Sequence, residues 1–220
     1  MSTTRPGMTP LRGVAPAHDP PDEQRPARLV SISPVALMSA AGLLALMGTL
    51  LVTEDRTGVT LFPAALIALA LAGICLACGL AGLTVRIRRH HLRGGWAALI
   101  SSGLAAAGGV LLVVMVPVGL ATGGLSIGRP AAVDQLAAIA MFALVLGTFV
   151  AAVSTGIGVW RTAIPSRAIG STLTVAGLLF LVPFSFLVTS VDQPPEGVII
   201  ALFATWMVLF GGAGIALRRR

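Results

Sequence analysis

The stretch Arg86-Ile87-Arg88-Arg89-His90-His91-Leu92-Arg93-Gly94-Gly95 carries four arginines within eight residues. On each side lies an apolar run of about 25 residues, long enough to cross a bilayer. So dense a charge cluster cannot sit in hydrocarbon and must lie in water between two spans. It also resists translocation, which places it on the cytoplasmic side. That placement orients every other segment of the chain.

Composition points the same way. The chain has 220 residues, 56% of them hydrophobic and 10% charged, with a mean hydropathy of +0.95. Soluble domains are about 25% charged, and a soluble fold of this length could not hide so much apolar surface. The net charge of +7 does not signal nucleic acid, because the arginines sit at the ends of apolar runs. Lys, Asn and Tyr are absent, a codon bias that fits a G+C-rich bacterial genome and gives the choice of Arg no functional meaning. The expected class is an all-α, multi-pass protein of the bacterial inner (plasma) membrane, with the lipid bilayer as its first partner.

In chain order, residues 1–33 hold six prolines, four arginines and three acids, and read as a disordered cytoplasmic tail. So long a polar leader makes the first apolar run a permanent anchor rather than a cleaved signal. The transmembrane domain is expected over residues 34–217, with six helices at about 34–53, 60–85, 96–120, 131–160, 168–189 and 198–216. Residues 218–220 form a basic C-terminus. Six spans put both termini on the cytoplasmic side with thirteen of the fifteen arginines, leaving Arg56 and Arg129 opposite. Five of the eight acids (Glu54, Asp55, Asp134, Asp192 and Glu196) fall with those two, as the positive-inside bias requires. Trp96 and Trp160 fall at cytoplasmic helix ends, where amphipathic rings prefer the interface.

An internal echo suggests three in–out–in hairpins. Ala41-Gly42-Leu43-Leu44 leads to Leu51-Val52-Thr53, and Ala176-Gly177-Leu178-Leu179 leads to Leu187-Val188-Thr189. Parallel repeats of this sort build known membrane bundles. Chance is the competing explanation, because few residue types make up these helices.

Ionisable residues inside a span are the usual pointers to function, because each is costly in lipid. None falls mid-span here, which argues against a carboxylate proton relay, a bis-histidine haem or a bundle metal site, and no cofactor is expected. Asp134 comes closest, about one turn into the fourth helix, where the helix dipole favours a carboxylate. Cys75 and Cys78 form a C-x-x-C on the second helix. The i, i+3 spacing makes the thiols neighbours, but with no cation nearby they read first as small packing residues and second as a redox pair. His90-His91 lacks a further ligand and reads as a solvated pair. Pro117 and Pro183 each remove a backbone donor from a helix and can kink it, shaping a cavity in the outer half.

Small residues at i, i+4 spacing, such as Gly73–Ala77–Ala81 and Gly147–Ala151, allow close helix approach. With no phosphate loop, catalytic triad or zinc motif, an enzyme is not expected. The reading is therefore a non-enzymatic accessory or structural subunit acting through helix packing, with a second copy or another membrane protein as partner. The alternative is a small permease or channel component for a neutral or apolar solute. Its lining would come from Ser101, Ser102, Thr148, Ser154, Thr155, Ser171, Thr172 and Thr174.

Overall fold

The computed structural model describes residues 24–90, 95–122, 132–182 and 196–219, and the regular structure among them is helical throughout. The order is α1 (Gln24–Thr57), α2 (Phe62–His90), α3 (Trp96–Thr122), α4 (Ala132–Thr162), α5 (Arg167–Leu178) and α6 (Glu196–Arg218). Among the described residues, five stretches are long and apolar enough to cross a membrane: Ile32–Glu54, Phe62–Arg88, Trp96–Ala121, Gln135–Thr162 and Ile200–Arg218.

α5, expected as a span over residues 168–189, is described only as far as residue 182. Its 12 residues rise only about 18 Å, well short of the roughly 30 Å hydrocarbon layer. The cause is written five residues past its end. Pro183 has no N–H to give the Leu179 carbonyl, and a proline crowds the carbonyl of the preceding turn. The chain tightens there into i→i−3 bonds, Phe180 N to Gly177 O at 2.9 Å and Val182 N to Leu179 O at 3.2 Å. Helical geometry resumes at Leu181-Val182, where the described segment ends. Pro183 itself lies outside the described residues.

Helix ends also differ from expectation. α1 starts at Gln24, ten residues before the expected boundary at 34, so only residues 1–23 of the expected tail lie outside the described residues. It continues to Thr57, where Gly58 stops it: at φ 67° this residue donates its N–H to the Glu54 carbonyl at 2.8 Å, the αL cap that glycine adopts most easily. α2 runs on through Arg86 and Arg88 to His90, so much of the arginine stretch is helix rather than loop. Arginine is a good helix former, and its cation suits the negative end of the helix dipole. Arg88 then folds over the Trp96 ring at the start of α3, 4.0 Å from its centroid.

Sequential helices pack antiparallel, and α6 returns to α1 and closes the ring. The directions follow from which residues crowd each glycine. Gly79 of α2 meets Leu37 of α1, Gly109 of α3 meets Ala70 and Ile74, and Gly147 of α4 meets Ser101 and Ala105. Gly177 of α5 meets Ala152 and Val153, and Gly214 of α6 meets Pro34 and Met38. Arg86, Arg88, Arg161, Arg167 and Arg218 therefore gather at the end of the bundle where α1 begins. α2 and α4 also touch across the middle, and the main core is built from α1, α2, α4, α5 and α6 around Leu37, Leu76, Leu173 and Phe210. α3 lies outside that core, held by α2 and α4 through Ala70, Leu112, Val116, Ala140 and Leu144.

Of the internal echo, Leu187-Val188-Thr189 lies outside the described residues, and the phrases that are described differ in setting. α1 runs unbroken from its Ala41-Gly42 phrase to Thr53, whereas α5 breaks directly after the matching one. Gly42 is exposed with open space around it, while Gly177 is buried against α4.

Candidate functional site

The features with chemical content converge where α5 breaks. In an unbroken helix the Phe180 N–H would serve the Ala176 carbonyl. Here it turns to Gly177, so Ala176 needs another donor, and it finds one 30 residues on. The buried Trp206 Nε1–H of α6 donates to the Ala176 oxygen at 3.1 Å. A buried carbonyl left without a donor would cost about 1–3 kcal/mol, so this indole offsets the cost of the break. The Trp206 ring stacks on Phe180 with centroids 4.1 Å apart and planes 24° from parallel. Phe203 meets it edge-on at 5.5 Å, and Phe210 tilts toward Phe180 at 6.4 Å.

Phe180 is also one wall of a small, partly open pocket of about 10 Å³. The other walls are Leu44 of α1, Leu69, Gly73 and Leu76 of α2, and Leu144, Val145 and Thr148 of α4. Thr148 supplies the lining's single side-chain hydroxyl. It is 3% exposed.

Other hydroxyls of the bundle turn back onto their own helices. Thr49, Thr53, Ser101, Ser102, Ser171, Thr172, Thr174 and Thr205 each donate to a carbonyl of their own helix, at 2.6–3.1 Å. Thr84 donates to Leu80 O at 2.9 Å and lies 3.0 Å from the Thr155 hydroxyl across the α2–α4 contact. With the Thr84 hydrogen committed to Leu80, Thr155 is the donor of that pair. Of the eight residues expected to line a pathway, only Thr148 lines the pocket.

The other candidates scatter. Cys75 packs half-buried against the main core and Cys78 is exposed on the flank of α2; both thiols are free. Pro117 is exposed within an α3 that runs on past it to Thr122. Asp134 lies in the first turn of α4, its side chain beyond the described residues, and Pro183 lies outside them. No group of three metal-ligating side chains occurs among the described residues. Glu54 belongs to α1 rather than to a turn, and its Oε2 is buried without a hydrogen-bond partner among the described residues.

Two residues at the centre of the site escape a sequence reading. Trp206 looks like one more apolar residue of a span, and Phe180 like one more of an apolar run. Only the proline three residues after Phe180 hints that a carbonyl will need a distant donor. No known protein family matches the chain, and no curated protein or solved structure matches it.

Proposed function

We propose that the protein is a non-enzymatic subunit of the bacterial inner membrane, acting through helix packing with a second copy or another membrane protein. The supporting observation is where the hydroxyls point. Ser101, Ser102, Ser171, Thr172 and Thr174 are each turned back onto their own helix, which leaves a polar route through the bundle without a lining. Gly73 and Gly147 serve close packing inside the bundle. A side chain on Gly73 would overlap Leu144, and a Cβ on Gly147 would sit 2.7 Å from the Ala105 nitrogen. The outward face of α3 is different, with Ile100, Leu104 and Val110 exposed and open space beside Gly103.

Native mass spectrometry of gently extracted protein tests the proposal. A stoichiometric second protein or a defined homo-oligomer supports it, and a lone monomer overturns it. Gly103→Leu then locates the face: it should weaken the assembly while leaving the monomer folded.

The second reading, a permease for a neutral or apolar solute, draws on the broken α5 beside a small pocket. Broken helices bordering mid-membrane sites are a recurrent transporter device. Vesicles containing the protein should then take up a neutral solute faster than empty ones. Equal rates across a broad panel would end this reading.

A further inference from the structure

We propose that the arginine-bearing end of α3 holds one anionic phospholipid, its phosphate on Arg88 and Arg161 and an acyl chain along Trp96 and Ile100. The inference does not depend on which protein partner the bundle takes. It uses only the opening of α3, short of Gly103.

Two helix ends rise above the first turn of α3. On the α2 side, Gly95 lies so close to the Thr84 methyl and the Arg88 stem that an added Cβ would sit 2.9–3.4 Å from them. α2 continues beyond Thr84 to His90. On the α4 side, Gly147 packs on Ser101 and Ala105. From there α4 climbs to Thr162, while α3, running the other way, reaches only to Trp96, which leaves α4 about 12 Å higher at 1.5 Å per residue. Arg161 lies two heptads from Gly147, and so on the side of α4 that carries α3 lower down. Arg88 and Arg161 stand at one level, because Ile87 reaches Gly158, where a Cβ would be 3.5 Å from the Ile87 Cδ1.

Arg88 is already held for such a contact. Its guanidinium lies 4.0 Å over the Trp96 ring, and a guanidinium over a ring keeps its in-plane N–H fork for phosphate oxygens. Arg161 is exposed. Neither meets an acid among the described residues, whose single acidic side chain, Glu54, lies toward the other end of α1. Beneath the cations the surface turns apolar at once. Trp96 is 62% and Ile100 69% exposed, one turn apart on one face of a membrane-length helix. Cations above hydrocarbon match a phospholipid, whereas a free phosphate would leave the Trp96–Ile100 surface uncovered. A zwitterionic lipid brings the same phosphate with a cation attached, so the two arginines favour a lipid of net negative charge.

Native mass spectrometry of the full chain reads the preference when it is loaded with phosphatidylglycerol and phosphatidylcholine of identical acyl chains. One phosphatidylglycerol should be retained per chain ahead of phosphatidylcholine. Arg88→Gln and Arg161→Gln should each cut that preference about 5-fold. Trp96→Leu removes no charge but takes the platform from under Arg88, and should weaken retention as well. Arg218→Gln removes the same charge from the same end of the bundle, but on α6, which packs on α1 and α5, and should leave the preference unchanged. Excess inorganic phosphate should leave the lipid in place. Equal retention of the two lipids, an equal loss from Arg218→Gln, or displacement by inorganic phosphate would overturn the proposal.

Discussion

Thr84 and Thr155 illustrate how a polar pair is tolerated in an apolar bundle. Thr84 is 2% and Thr155 1% exposed, and each offers the other what its own helix does not. Such interhelical bonds in membrane proteins are worth about 0.6–2 kcal/mol. Thr155→Val should therefore lower unfolding free energy by about 1 kcal/mol. The double variant with Thr84→Val should cost less than the two single losses added, because no hydroxyl is then stranded. Unfolding in mixed micelles reads both. Trp206→Phe keeps a ring in the stack but strands the Ala176 carbonyl, so about 1–3 kcal/mol should be lost, measured the same way. A control with Trp160→Phe, whose ring is half exposed at a helix end, should change little.

Between neighbouring helices the decisive contacts are backbone against backbone. At Gly147 an added Cβ would lie 2.7–3.0 Å from the α3 main chain, whereas at Gly103 it would meet nothing within 4 Å. Gly147→Leu should therefore prevent α3 from docking on α4 and destabilise the bundle by about 3 kcal/mol or more. Gly103→Leu should stay within about 0.5 kcal/mol in the monomer, as surface changes do. Thermal unfolding of the two variants gives the comparison. Hydropathy made the presence and rough placement of the long helices readable, because a run such as residues 96–120 has few other homes. The ends were harder. Nothing apolar marks where α2 stops, since Arg86 and Arg88 extend a helix as readily as they interrupt a hydrophobic run. The break in α5 was half readable: Pro183 announces a disturbed turn, but its depth depends on whether a distant donor such as Trp206 rescues the freed carbonyl. Thr148 stood among eight equivalent hydroxyls in the sequence. That it alone lines the pocket depends on how the helices pack, which spacing does not encode.

Across the whole molecule, charge and geometry agree on one axis. The described arginines other than Arg56 collect at the end where α1 begins and α6 finishes. We expect that end to face the cytoplasm, so a C-terminal alkaline phosphatase fusion should be inactive and a green fluorescent fusion bright; the reverse pattern would invert the orientation. The closure of the ring has a consequence for biosynthesis. α6 is translated well after α1 yet seats against it, with Gly214 so close that a Cβ would be 2.7 Å from Met38 and 3.0 Å from the Pro34 carbonyl. Until α6 has been translated, α1 keeps a bare flank and the Ala176 carbonyl waits for its indole. A nascent chain halted before Glu196 therefore lacks both the α1 contact and the donor to the Ala176 carbonyl.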